Sequence, residues 1–265
     1  MVVKPVWKYS LRAVALAYLA CLLLAPVVFI FIKTFEHGFS TAWGFITTPA
    51  AVSAFWLSVL IAGVAVPLNT IFGVGTAMVL VRSKTRGRKI LDALIDIPFI
   101  VSPVIIGLSL VLVYGIHGWF GSWFIDHGIP IIFNPLGMII ATVFVSLPFC
   151  VREVTPVLME VGTEQEQAAA TLGAGGWTTF WRITLPAIRP GIVAGALFGF
   201  VTSFGNLEMS LFLVGPGRTT LPIVVLQYLE WKIDPTIAAV SVVQILLIAV
   251  VMLITDRYVK LARVV

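Results

Sequence analysis

Polar side chains interrupt an apolar run in the C-terminal half of the sequence, among them Ser203, Asn206, Glu208 and Ser210. Polar groups at membrane depth are costly, and they usually face a cavity or a partner. Hydroxyl and amide groups can exchange hydrogen bonds with a solute that has left water. These residue types therefore indicate transient binding of a passing solute, with no bond made or broken.

The spacing of these residues divides them into two groups. At 1.5 Å per residue, Ser203 lies about 17 Å along its span, near the bilayer midplane, whereas Glu208 lies about 24 Å along it. Ser203, Asn206 and Ser210 share one helical face, and Glu208 points nearly opposite Asn206 unless Gly205 breaks the helix. We expect the solute pathway to follow the Ser203–Asn206–Ser210 face. Glu208 stays a second candidate for the pathway, and the alternative is that it snorkels to the interface or meets another span.

The sequence contains none of the motifs that would indicate catalysis or nucleotide binding. G-x-x-x-x-G-K-[ST], G-x-S-x-G and H-E-x-x-H are all absent, so we predict no catalytic residue and no cofactor on this chain. His37, His117 and His127 have no cysteine or acid at ligand spacing, and no metal site is predicted. Cys21 and Cys150 fall at different depths, so we expect both to be unpaired.

Composition sets the class of protein. Of 265 residues, 60% are hydrophobic and 11% are charged, and the mean hydropathy is +1.07. Such values are typical of an integral membrane protein. Apolar runs of about 20 residues, enough to cross a bilayer, recur from end to end and leave no room for a separate soluble domain.

These runs predict an all-α fold with six transmembrane helices in a single domain, residues 1–265. The predicted spans are approximately 12–33, 50–81, 96–116, 135–154, 190–214 and 236–256. The second run is unusually long, and Pro67 can kink or break it. Residues 115–124 are rich in glycine and aromatic side chains, which is typical of a re-entrant or surface helix at the interface.

The basic residues predict the orientation. With the N-terminus inside, 14 of the 17 lysines and arginines fall in cytoplasmic segments, and only Lys33, Arg218 and Lys232 fall outside. The positive-inside rule therefore predicts both termini in the cytoplasm, with residues 164–186 on the same side. The basic residues are divided among four membrane-edge segments, so they predict no binding of nucleic acid.

Residues 163–186 form the longest polar, helix-competent stretch in the sequence. Thr163 and Glu166 have the spacing of a capping box, which predicts a helix that begins near Thr163. Gly173 interrupts the helix, and Leu185-Pro186 ends a second, amphipathic one. We predict two short helices over approximately 163–184, hinged at glycines.

A longer pattern runs through the same stretch, and its residues are Glu164, Glu166, Gln167, Ala168, Ala169, Gly173, Ile183, Leu185 and Pro186. At this spacing the stretch resembles the cytoplasmic "EAA" loop of binding-protein-dependent ABC importer permeases. In that family the loop forms coupling helices that dock into a groove on the ATP-hydrolysing subunit. The usual glutamate of the family stands here as Gln167, so the acid that would contact the ATPase is left open.

The resemblance implies a non-catalytic subunit in a bacterial inner membrane. Its implied partners are the lipid bilayer, a second permease subunit that is a paralogue or an identical copy, two ATP-binding subunits that hold ATP and Mg, and a periplasmic solute-binding protein. The alternative is a self-contained secondary carrier or channel, which would need intramembrane acids or paired broken helices in inverted repeats. The sequence has no evident second half that repeats the first, which favours the importer.

Two further resemblances concern the substrate. Residues 202–222 resemble the spermidine/putrescine permease branch, although polyamine permeases tend to carry adjacent acids where this chain has Gly205-Asn206. Residues 96–103 and 118–121 look more like permeases for sulfate-type oxyanions. The substrate therefore stays open between a polyamine-like cation, an oxyanion and another small solute.

Overall fold

The computed structural model describes residues 5–36, 38–83, 86–231 and 235–259, with side chains described from residue 11 onwards except at 229–231, 235–237 and 258–259. Within these ranges the chain is helical, and the sole β-type pairing is an isolated bridge between Gly215 and Arg218. His37, Lys232 and the last six residues lie outside the described ranges.

The elements in chain order are α1 (Pro5–Phe35), α2 (Phe39–Ile46), α3 (Pro49–Arg82), α4 (Arg88–Ile100), α5 (Pro103–Tyr114), α6 (Gly121–Asp126), α7 (Pro135–Val161), α8 (Glu164–Thr171), α9 (Gly176–Thr179), a π-helical turn (Phe180–Thr184), α10 (Leu185–Ala187), α11 (Arg189–Gly205), α12 (Leu207–Leu213), α13 (Leu221–Trp231) and α14 (Pro235–Val259).

Four of the described helices, α1, α3, α7 and α14, are long and apolar enough to cross a membrane. Two bent pairs add one candidate span each: α4 with α5, bent by 105°, and Gly176–Ala187 with α11, bent by 68°. The described residues thus offer four spans, or up to six if each bent pair is one span. The chain is an all-α integral membrane protein.

The predicted second span, 50–81, forms as one helix of 34 residues, α3, which continues through Pro67. The predicted span 96–116 is instead two helices, since α4 ends at Ile100 and α5 begins at Pro103. Proline disfavours a helical conformation at the preceding residue and suits a first helical position, so Pro103 starts a helix in a new direction.

The core is built where α7 packs between α3 and α11, the most extensive helix contacts in the described chain. Small residues permit this approach. A Cβ on Gly73 of α3 would lie 2.7 Å from Cys150 Sγ, and one on Gly195 of α11 would lie 2.7 Å from Cys150 Cα. Close backbone approach at small residues is the usual basis of helix packing in membranes.

One polar link crosses this core. Asn69 of α3, only 2% exposed, donates from Nδ2 to Ser146 Oγ of α7 at 2.6 Å. Ser146 Oγ in turn donates to the carbonyl oxygen of Thr142. The link joins α3 to α7 through the amide nitrogen, while Asn69 Oδ1 is buried with no partner among the described residues.

Candidate functional site

The first functional candidate is the segment of residues 164–187, called here the connecting segment, which joins α7 to α11. Its first helix, α8, ends in a Schellman motif: Gly173 N–H donates to Ala170 O, and Ala174 N–H donates to Ala169 O, both at 3.0 Å. Gly173 has a φ of +85°. L residues are strained in that conformation, so the glycine fixes the turn between the two helical parts.

The predicted capping box at the start of α8 does not form. Helix α8 begins at Glu164 as expected, but the side chain of Thr163 caps no backbone N–H. Instead Thr163 Oγ1 accepts from Gln167 Nε2 at 3.0 Å. The carboxylate of Glu166 has a charged partner on another helix.

That partner is Arg82, the last residue of α3. Its Nη2 lies 3.2 Å from Glu166 Oε1 and also donates to the carbonyl oxygen of Gly162. Thr184, in the π-helical turn, donates from Oγ1 to the same Glu166 oxygen at 2.8 Å. The Arg82 and Glu166 side chains are only 19% and 20% exposed. Charge-assisted hydrogen bonds shielded from water are strong, so Glu166 connects α3, α8 and the second half of the segment.

The second half of the segment runs further than predicted. Leu185 and Pro186 do not end the helix, which passes through α9, the π-helical turn and α10 to Ala187 before it bends into α11. Pro186 is tolerated because it lies in the first turn of α10, where a missing N–H costs little. Ile188, which is fully buried, anchors the bend.

The outer face of the connecting segment is apolar and exposed. Leu172 is 88% exposed, Trp177 is 75% exposed and Trp181 is 51% exposed. Among the residues of the predicted pattern, the exposed ones are Glu164, Gln167, Ala168, Gly173 and Pro186, the half-buried ones are Glu166, Ile183 and Leu185, and Ala169 is buried. Large exposed apolar side chains rimmed by polar ones are typical of a surface that binds another protein.

The second candidate is the break between α11 and α12. Helix α11 ends at Gly205, Asn206 has φ −79° and ψ 77°, and α12 begins at Leu207. The predicted span 190–214 is therefore two helices. The expected continuous face through Ser203, Asn206 and Ser210 is wrong, because the two serines lie on different helices.

Two side chains stabilise the backbone at this break. Gln244 of α14 donates from Nε2 to the carbonyl oxygen of Phe204 at 3.0 Å. Ser210 donates from Oγ to the carbonyl oxygen of Asn206 at 2.6 Å, so its hydroxyl is already engaged. Helix ends inside a membrane need such partners, since lipid supplies none.

Ser203 and Asn206 differ from Ser210 in this respect. Ser203 Oγ and Asn206 Nδ2 are both buried and have no hydrogen-bond partner among the described residues. A buried polar atom without a partner is costly, and an absent ligand or water is one explanation. Glu208 is exposed in the first turn of α12 and makes no hydrogen bond or ion pair to another described residue.

No group of three or more histidines, cysteines or acids at metal-binding distance occurs in the described part of the chain. His127 Nδ1 lies 2.7 Å from the carbonyl oxygen of Trp123. Cys21 is exposed and Cys150 is buried, and neither forms a disulfide.

Sequence reasoning missed Arg82, Thr184 and Gln244 as partners. In the sequence, Arg82 contributed only to the count of basic residues that predicts the orientation, and Thr184 was only the last residue of a predicted helix. Gln244 had a usable signal, because a polar residue within an apolar run usually has a partner.

Comparison with known proteins agrees with this architecture. Residues 69–263 match the family model described as "Binding-protein-dependent transport system inner membrane component". The chain is 45% identical over 251 residues to the sulfate transport system permease protein CysW of Synechocystis, covering 93% of this chain and 90% of the relative. It is 34% identical over 246 residues to CysT of the same organism, covering 92% and 86%.

A solved structure shares the fold at low identity. A chain of a bacterial ABC transporter involved in the import of the acidic polysaccharide alginate superimposes with a TM-score of 0.80 at 15% identity, covering 97% of this chain and 99% of that one.

These findings correct two expectations. Both sequence relatives are sulfate permeases, so the resemblance of residues 202–222 to polyamine permeases was misleading. The alternative of a self-contained carrier or channel is also wrong, because the family model covers the greater part of the chain. The chain belongs to the family of binding-protein-dependent transport system inner membrane components, the multi-pass, non-catalytic permease subunits of ABC importers.

Proposed function

We propose that this chain is a permease subunit of an importer for sulfate or a closely similar tetrahedral oxyanion. The observation that carries the proposal is the 45% identity to a sulfate permease over 93% of the chain. The unpartnered donors at the helix break support it, because Asn206 Nδ2 and Ser203 Oγ can both donate a hydrogen bond to an anionic oxygen.

The proposed pathway runs past Ser203 and Asn206, where an amide and a hydroxyl replace water for the passing anion. Ser210 has a structural role in this proposal, because its hydroxyl donates to the carbonyl oxygen of Asn206 and so stabilises the helix break. Glu208 does not line the pathway in this proposal, because a carboxylate there would repel the passing anion.

The proposed coupling site is the outer face of the connecting segment, which docks into a groove on an ATP-binding subunit. Leu172, Trp177 and Trp181 supply exposed apolar area for such a contact. Glu166 is turned inward to Arg82, so Glu164 and Gln167 are the polar residues that face the ATPase. Glu166 does not contact the ATPase in this proposal; it holds the connecting segment in position.

The proposed assembly contains this chain, a second permease subunit, two ATP-binding subunits that hold ATP and Mg, and a periplasmic solute-binding protein. We favour a paralogue over an identical copy as the second permease. The reason is that a single organism, Synechocystis, has two different sulfate permeases, CysW and CysT, and this chain is more similar to the former.

The proposed orientation has both termini in the cytoplasm, in line with the bias of basic residues. Single cysteines at Ser40 and Thr178, both exposed, test it in a background without Cys21 and Cys150. A membrane-impermeant thiol reagent added to intact cells should label the cysteine at 40 and spare the one at 178. Labelling at 178 from outside would reverse the topology and remove the basis for ATPase docking.

Reconstitution tests the substrate. The assembled importer in proteoliposomes, supplied with its binding protein outside and ATP inside, should take up labelled sulfate and leave labelled putrescine outside. Uptake should stop when either the binding protein or ATP is omitted. Putrescine uptake without sulfate uptake would contradict the proposal, and sulfate uptake that needs neither component would contradict the importer mechanism.

A further inference from the structure

A basic cavity lies between the end of α3 and the start of α4, apart from both candidate sites. Its volume is about 690 Å³, within the range of about 300–1,000 Å³ typical of small-molecule sites. The polar side chains that line it are Arg82, Ser83, Arg86, Arg88, Lys89 and Thr163. Four basic residues, which are cations at neutral pH, therefore line one space.

Three of these cations lack a counter-charge in the described chain. Arg86, Arg88 and Lys89 are exposed and form no ion pair or hydrogen bond with another described residue. Asp92, about one turn along α4, is held at 2.8 Å by Arg152 of α7 and so does not neutralise them. The positive-inside rule explains basic residues at this edge, but it does not explain why four surround one cavity.

Helix α4 adds a second attraction for an anion. Its 13 residues begin at Arg88, its N-cap Gly87 provides no capping side chain, and its first turn holds no acid. Cations in a first turn oppose the helix dipole, whereas the free N–H groups there attract a negative charge. An anion in the cavity would both neutralise the cations of the first turn and accept hydrogen bonds from its free N–H groups.

Arg82 provides an independent observation. Its side chain is 19% exposed, and its Nε is buried without a partner among the described residues, although its Nη2 is engaged by Glu166 and Gly162. Arg82 thus lines the cavity with one donor, Nε, that no described residue engages, although that atom is itself buried. Arginine is suited to binding sulfate or phosphate, because its donors match the spacing of their oxygens.

We infer that this cavity is an anion site for a tetrahedral sulfate or phosphate group, held by Arg86, Arg88, Lys89 and the N-terminus of α4. A free inorganic anion and the headgroup of an anionic lipid present the same chemistry. The inference does not depend on which solute the importer carries. Because Arg82 lines the cavity and also holds Glu166, an occupant here competes for the contact that positions the connecting segment.

The test uses the full chain in phosphatidylcholine nanodiscs, titrated with inorganic sulfate and then with inorganic phosphate by calorimetry. The cavity variant combines three substitutions: Arg86→Gln, Arg88→Gln and Lys89→Gln. The control variant removes the same net charge from exposed residues elsewhere: Arg12→Gln, Arg189→Gln and Arg257→Gln. We expect the control to bind both anions as the wild type does and the cavity variant to bind at least tenfold more weakly.

A second set of nanodiscs that contain phosphatidylglycerol distinguishes the two sources. A sulfate affinity at least tenfold weaker in these discs identifies the lipid headgroup as the occupant, and an unchanged affinity identifies a free anion. Either result supports the site. The inference is overturned if the wild type binds neither anion in phosphatidylcholine, if the cavity variant binds as the wild type does, or if both variants lose affinity equally.

Discussion

Two groups of shielded polar side chains in this molecule differ in whether they have partners. At the connecting segment, Glu166 accepts from Arg82 and Thr184, and only about a fifth of its side chain is exposed. At the break between α11 and α12, Ser203 Oγ and Asn206 Nδ2 are buried with no partner among the described residues. The carboxylate of Glu166 finds its partners within the protein, whereas the two donors at the helix break do not.

This difference indicates two roles, one structural and one in binding the solute. A satisfied buried polar group fixes a structure, because breaking it leaves a charge without a partner. An unsatisfied donor costs free energy that a bound ligand can recover. We therefore expect changes at Glu166 to act on stability and assembly, and changes at Asn206 to act on solute transfer.

The largest expected effect is that of Glu166→Leu. The substitution leaves Arg82 largely buried without its counter-charge, which costs on the order of 3 kcal/mol. We expect a lower thermal unfolding midpoint for the full chain and little copurification of the ATP-binding subunit. Glu164→Leu, at an exposed position in the same turn, is the control for unfolding and should leave the midpoint near that of the wild type. Equal unfolding midpoints for the two variants would contradict the structural role assigned to Glu166.

The next effect is that of Gly173→Val. No atom would obstruct the side chain, since nothing lies within 4 Å of its Cβ, but the φ of +85° strains any L residue by about 1–2 kcal/mol. We expect the second half of the connecting segment to shift and the ATPase activity to be uncoupled from uptake. Gly175→Val is a matched control, because that glycine is equally unobstructed and has a φ of −71°. The hinge assignment fails if both valine variants transport equally well.

A smaller effect is expected for Asn206→Leu, which replaces the amide by an apolar group with the same branching at Cγ and so removes the donor. A hydrogen bond to a charged solute is worth about 1.5–3 kcal/mol, so uptake should fall by about ten- to hundredfold at a fixed sulfate concentration. Ser53→Ala, an exposed position on α3 whose hydroxyl bonds only within its own helix, is the control and should transport normally. Wild-type uptake by Asn206→Leu would leave the helix break without a role in the pathway.

The smallest effect is expected for Glu208→Gln. The carboxylate is exposed and has no partner among the described residues, so its neutralisation should change sulfate uptake by less than about threefold. Any change should be an increase, because a negative charge near the route is removed. A severe loss in this variant would place Glu208 in the pathway and favour a cationic solute.

Local features were predictable from the sequence, and contacts between distant residues were not. The turn at Gly173 follows from a glycine at a helix end, and the apolar runs follow from composition alone. Helix α3 forms the single long span that its apolar run predicts, but whether a proline such as Pro67 breaks a membrane helix depends on its neighbours, which no local pattern reveals.

The two candidate sites show the same division. Glu166 was given a local capping role, but its partner Arg82 is 84 residues away in the chain. The break at Asn206 was foreseen only as an alternative, because its stabilisation by Gln244 crosses 40 residues. The connecting segment was found from its spacing, whereas the direction in which its acids point needed the packed structure.

The most direct test compares Glu166→Leu with Asn206→Leu in the same reconstituted importer, with sulfate uptake divided by the amount of complete complex recovered. We predict that Glu166→Leu lowers the recovery of complete complex while the few complexes that form retain most of their uptake. We predict that Asn206→Leu assembles like the wild type and loses about ten- to hundredfold of uptake per complex. The reverse pattern, with full uptake per complex for Asn206→Leu and poor uptake per complex for Glu166→Leu, would contradict the assignment of structure to the satisfied group and transport to the unsatisfied one.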